Sequence, residues 1–209
     1  MQTKLFTSSD MVKIKCPSCN GCGACCRGMG DTILLDPYDV YTLCLSLDKP
    51  FPELLGSCVD LTVSDGMILP HLKMDDVSDS CTFLDSEGHC SIHDHRPGLC
   101  RLYPLGRDYA NGTFRYFLAG DECPEGEKAK EKISKWIGVP RMPSYEKFLV
   151  KWHYFVREMQ GKFTLSGDET YSKQMNMFLL QTFYLSPYDR NKDFYEMFER
   201  RLEQVRKVL

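Results

Sequence analysis

Five cysteines fall within the eleven residues from Cys16 to Cys26, CPSCNGCGACC, and so many thiols so close together rarely arise for packing. Cys16, Cys19, Cys22 and Cys25 recur at every third position, and Cys26 follows directly. A two-residue gap lets successive thiolates curl around one centre while backbone N–H groups point at the sulfurs. Gly21 and Gly23 suit such wrapping, which needs backbone conformations that glycine reaches at little cost. Neighbouring side chains diverge, so Cys25 and Cys26 point to two metal centres, or to one centre and the core.

Whether such a run makes disulfides or binds metal depends on the compartment. The opening MQTKLFTSSDMVKIKCP lacks the basic start, the apolar stretch and the small-residue cleavage site of a secretory leader. No segment reaches the roughly 18 apolar residues of a membrane span. The expected location is therefore cytoplasmic, with no membrane contact, where thiols stay reduced and clustered cysteines bind metal. With 209 residues the chain can bury a proper core without a metal to staple it. A net charge of -3 gives no footprint for nucleic acid, and the basic end ERRLEQVRKVL reads as a solvated helix face.

The pattern along the chain is α+β. DPYDVYTLCLSL reads as a helix capped by Asp36 with Pro37 in its first turn. Hairpins are expected at SCVDLTV and MILPHLKM around Ser64 to Gly66, at SCTFLD and GHCSIH around Ser86 to Gly88, and at RDYA and TFRYFLA around Asn111-Gly112. From about Ile133 the period becomes helical: Phe148, Leu149, Trp152, Phe155, Val156 and Met159 form one stripe. Met175, Phe178, Leu179 and Phe183 form a second, and Phe194, Met197, Phe198, Leu202 and Val205 a third, with breaks at Gly161 to Gly167 and at Ser186-Pro187. Stripes of Met and aromatic residues at this spacing are core. The expectation is a cysteine-rich module of short antiparallel hairpins and helices over residues 1–132, with a C-terminal three-helix segment, 133–209, packed on it.

Further candidate ligands are Cys81, Cys90, Cys100 and Cys123, which sit at the ends of predicted elements, where side chains can converge. Cys81 and Cys90 are expected to face each other across the second hairpin, and Cys100 to open a short helix after Pro97. Cys44 and Cys58 lack such a setting and are assigned to the core. The segments CNGCGACC, CTFLDSEGHCSIHDHRPGLCRLYPLG and ECP together resemble the CxxCxxCC cysteine-cluster family, also called YkgJ, described as zinc- or iron-chelating domains. The resemblance covers about Cys19 to Pro124 and implies the ligand set Cys19, Cys22, Cys25, Cys26, Cys81, Cys90, Cys100 and Cys123, with Cys16 extending the run.

One dense run followed by single, widely spaced cysteines fits an iron-sulfur cluster, of the 4Fe-4S kind, better than the paired knuckles of structural zinc, and Cys123-Pro124 matches the cysteine-before-proline habit of such sites. Zinc remains the alternative, since eight thiolates could enclose two ions. Four thiolates leave either centre at a formal charge of about -2, so Arg96 and Arg101, flanking Cys100, are candidates to neutralise it or donate N–H bonds to sulfur. His89, His93 and His95 crowd around Cys90 but are read as solvated, and His71 and His153 as structural. No nucleophile motif or nucleotide-binding glycine loop appears. The favoured function is a non-catalytic metal-binding protein serving electron transfer, cluster handling or recruitment of a protein partner. Against it stand a structural zinc interaction module and a cluster-dependent protein-modifying enzyme, since the cysteine pattern resembles that of flagellin lysine methylases.

Overall fold

A computed structural model describes residues 3–15, 23, 26–120 and 129–209. The architecture is α+β. Strand β1 (Met11–Lys15) is followed by helices α1 (Pro37–Leu47) and α2 (Phe51–Leu54), strands β2 (Val59–Ser64) and β3 (Met67–Leu72), and helix α3 (Gly98–Leu102). Strands β4 (Leu105–Ala110), β5 (Thr113–Leu118) and β6 (Ala129–Lys132) come next. Helices α4 (Ile133–Ile137), α5 (Met142–Ser166), α6 (Glu169–Leu180) and α7 (Phe194–Arg206) complete the chain, with a π-helical turn, Gln181–Leu185, extending α6. The described strands pair antiparallel as β1 with β6, β2 with β3, and β4 with β5.

Local chemistry explains most of these elements. Asp36 caps α1 by accepting from the Asp39 amide, Asp39 reciprocates on the Asp36 amide, and Pro37 occupies the first turn. The β2–β3 and β4–β5 hairpins each turn on two residues of positive φ, Asp65 (47°) with Gly66 (81°) and Asn111 (51°) with Gly112 (73°). Both turns match the right-handed twist of the strands they join. The expected hairpin around Ser86 to Gly88 forms only as one antiparallel bridge, closed by the Asp85 amide on the His89 carbonyl and the Ser91 amide on the Phe83 carbonyl, both at 2.8 Å. Leu84 makes an isolated bridge to Cys90, and Cys81 bridges Met74 instead of facing Cys90. The Asp85 carboxylate accepts from the Glu87 and His89 amides, and this side-chain turn competes with a ladder for the backbone donors.

The β1–β6 pairing has no local signal, because its partners lie far apart in sequence. The helical stripes are core, as expected: Tyr145, Phe148, Leu149, Trp152, Phe155, Met159 and Phe163 are buried along α5. Phe148 meets Phe198 of α7 edge-on at 4.7 Å, and Trp152 meets Phe183 at 5.1 Å. The helix does not break at Gly161; it runs on to Ser166 and stops at Gly167, whose φ of 60° ends it. The break after Leu185 is where expected.

Three contacts seat these helices on the N-terminal half. Asn176 of α6 accepts from the Ile68 amide at 2.8 Å and donates to the Gly66 carbonyl at 2.8 Å, filling the β2–β3 turn. Gln160 donates to the Ser64 carbonyl at 3.1 Å. The buried Tyr184 hydroxyl donates to the Leu35 carbonyl at 3.1 Å, just before α1.

Candidate metal centre

Of the nine cysteines read as candidate ligands, the structure describes Cys26, Cys81, Cys90 and Cys100; Cys16, Cys19, Cys22, Cys25 and Cys123 lie outside the described residues. Cys81 is buried, and Cys26, Cys90 and Cys100 are half-buried against the core.

The described end of the cysteine run is held to the Cys81 segment by backbone. The Cys81 amide donates to the Cys26 carbonyl at 2.8 Å, Arg27 bridges Ser80, and the Gly28 amide donates to the Asp79 carbonyl at 2.9 Å. One turn back, Gly23 lies against the turn that follows Cys81. A Cβ at position 23 would stand 2.7 Å from the Gly88 carbonyl oxygen and 2.9 Å from Leu84 Cδ1, and its φ is +68°. At Gly23 the run is thus pressed onto the segment that ends at Cys90.

Cys100 arrives on α3, after Pro97, as expected. The helix is tied at its start by the Gly98 amide, which donates to Asp39 Oδ1 at 2.7 Å, so α1 positions α3. Cys123 and the run are related through the β1–β6 sheet. Lys15, directly before Cys16, pairs with Ala129, six positions after Cys123. The sheet therefore pairs the described residue just before the run with a described residue that follows the Cys123 segment in sequence.

Among the described residues, no three His, Cys, Asp or Glu side chains converge on a point where one ion could sit. A centre there must be completed from the rest of the run. The donor chemistry fits a metal: soft thiolates suit zinc or iron-sulfur clusters, and the glycine cradle at position 23 brings the chain closer than any side chain would permit.

The two arginines differ. Arg101 spends its guanidinium on backbone: Nε donates to the Arg96 carbonyl at 2.8 Å, Nη1 to the Ile137 carbonyl at 3.4 Å, and Nη2 to the Asp94 carbonyl. Burial, with Arg96 nearby, lowers its pKa. Arg96 instead keeps an Nε sealed from solvent with no hydrogen-bond partner. His93 has its Nε2 in the same condition, and its pKa is lowered by burial and then by Arg96. Cys44 and Cys58 are half-buried against the core, and burial pushes the Cys44 thiol up to about 11 and the Cys58 thiol upward. Both therefore stay protonated near neutral pH, as core cysteines do.

Sequence reasoning missed a second site beside α3. A cavity of about 590 Å³ lies between α3, β4 and α5, with Leu99, Leu102, Leu149, Trp152 and Val156 on its walls and Asp36, Asp39 and Arg107 at one end. In the sequence Asp36 and Asp39 look like nothing more than a helix cap, and Arg107 like an outward residue of a hairpin strand. Their placement depends on α3 and α5, which no local pattern reports.

A family model named "CxxCxxCC: Putative zinc- or iron-chelating domain" matches residues 18–124 of the chain. Neither a curated protein nor a solved structure matches it.

Proposed function

Because the chain belongs to the CxxCxxCC family of metal-chelating domains, we propose that it holds an iron-sulfur cluster, of the 4Fe-4S kind, and serves electron transfer, cluster handling or recruitment of a protein partner. The observation that supports this reading is the clasp of the dense run, through Cys26 and Gly23, onto the segment carrying Cys81 and Cys90. A run of closely spaced thiolates joined by remote single cysteines is the habit of cluster ligation. The ligands on this reading are Cys19, Cys22, Cys25, Cys26, Cys81, Cys90, Cys100 and Cys123, with Cys16 as an added thiol of the run. Arg96, with a sealed and unpartnered Nε, is the better placed of the two arginines to face sulfur.

A second reading is two structural zinc ions. It is favoured by the eight candidate thiolates, enough to give each of two ions a tetrahedral set. Anaerobic purification with assay of iron, acid-labile sulfide and zinc separates the two. Iron and sulfide in stoichiometric amounts, with broad absorption near ~400 nm, support the cluster. Stoichiometric zinc in a colourless protein that chelators unfold replaces that reading with the second. Protein with neither metal nor sulfide overturns both.

A further inference from the structure

Every buried donor needs an acceptor, and Arg107 fails to supply two of its own. Its Nε and Nη2 are sealed from solvent and hold no hydrogen bond. The buried Tyr145 hydroxyl, whose ring lies 6.0 Å from the Arg107 guanidinium carbon, is in the same condition. A buried guanidinium donor left without an acceptor costs about 1–3 kcal/mol or more, so native proteins retain such groups where water, an ion or a ligand completes them. Arg107 also shares a side-chain hydrogen bond with Tyr109, which leaves Nε and Nη2 as the donors open to a new acceptor.

The surroundings define what that acceptor belongs to. Asp36 and Asp39 line the same end of the cavity, and the rest of the wall is aliphatic and aromatic. Burial raises both carboxyls, Asp39 to about 6 and Asp36 well above the usual range. With both carboxyls raised by burial, the pair carries less than its full two negative charges beside the positive charge of Arg107. Gly106 leaves room for the Phe117 ring, which comes within 2.3 Å of where a Cβ at 106 would stand and closes part of the wall. The Tyr109 ring stacks on His153 at 3.6 Å and 7°, forming a flat aromatic face along another part. The volume of about 590 Å³ lies within the ~300–1,000 Å³ of small-molecule sites and has room for an aromatic side chain.

We propose that this cavity binds an α-amino acid with an apolar side chain, its carboxylate on Arg107, its ammonium on the Asp36–Asp39 pair, and its side chain along the wall formed by Leu102, Leu149 and Val156. A single positive and a shared negative group at one end of an apolar cavity complement a zwitterion with an apolar tail. An anion alone would leave the carboxylates opposing it, and an amine alone would leave Arg107 unsatisfied. The proposal does not depend on which metal the cysteines hold.

Titration calorimetry of the full chain, as purified and with its metal content assayed in the same sample, tests it. L-Leucine and L-phenylalanine should bind, while 4-methylpentanoate and isopentylamine, each lacking one charge of leucine, should bind at least about tenfold more weakly. Arg107→Lys should weaken leucine by a similar factor. Val156→Trp, which fills the cavity from a half-buried wall position, should abolish binding while the circular dichroism stays native. No heat from either amino acid up to about 10 mM overturns the proposal, whatever the metal content. So does 4-methylpentanoate or isopentylamine binding as tightly as leucine, or leucine binding unchanged in a folded Val156→Trp protein.

Discussion

Replacing Gly23 by alanine tests the clasp on which the metal site depends. Two costs arise. The backbone stands at φ +68°, where an L side chain costs roughly 1–2 kcal/mol. The new Cβ would also sit 2.7 Å from the Gly88 carbonyl oxygen and 2.9 Å from Leu84 Cδ1. Backbone cannot yield as a flexible side chain does, and overpacking of this kind costs typically about 1–3 kcal/mol. Gly30→Ala isolates the second cost, because Gly30 has φ +52° and nothing within 4 Å of its ideal Cβ. The expected difference between the two variants is therefore about 1–3 kcal/mol, or about 2–12 °C in melting temperature at 2–4 °C per kcal/mol for a chain of this size. Thermal melts of the metal-loaded protein measure it, and the rate of metal loss to a chelator should rise in Gly23→Ala alone. Equal melting temperatures and equal chelator rates would show that the run is not pressed onto the 84–88 turn.

Three further outcomes follow from the fold. The raised carboxyls of Asp36 and Asp39 hold protons in the folded state that the unfolded chain releases near pH 4, so this pair makes stability fall as pH rises from about 4 through about 6. Asp36→Asn keeps the cap but removes one charge, and urea titrations from pH 4.5 to 7.5 should show a flatter decline than in the unaltered protein; a parallel decline refutes the coupling. Asn176→Ala strips partners from the Ile68 amide and the Gly66 carbonyl and should cost about 2–3 kcal/mol in urea unfolding, against under 1 if water replaces them. Phe198→Ala removes a ring that is 1% exposed and should cost about 3–5 kcal/mol by the same assay, far more than the loss of an exposed aromatic would.

The sequence told most where chemistry is local. The Asp36 cap, the Asp65-Gly66 and Asn111-Gly112 turns and the three apolar stripes each depend on residues within one or two turns of one another, and each appears where its residues predict. The hairpin expected around Ser86 to Gly88 is cut to a single bridge, because the Asp85 side chain takes the Glu87 and His89 amides, a competitor that alternation of apolar residues does not register. The run, and the later cysteines as candidates for joining it, could be read directly. What spacing could not supply was the path between them: the backbone clasp of Cys26 on Cys81, and the strand pair before Cys16 and after Cys123. The cavity by α3 was invisible for the same reason, since Asp36, Arg107 and Val156 become neighbours only through tertiary packing.

The β1–β6 pair also sets a schedule for synthesis. Lys15 and its partner Ala129 are separated by 114 positions, so the strand that flanks the cysteine run has no partner until that much more chain has been made. At about 5–20 residues per second, the ribosome takes about 6–23 s to supply it. Through that interval the run's thiols exist on a nascent chain that still lacks Cys123 and the closing strand, open to oxidation or to the wrong metal. On the proposed ligand set, loading of the centre is therefore expected to come late, and cells short of reducing power should accumulate fully synthesised chain whose thiols are oxidised rather than metal-bound.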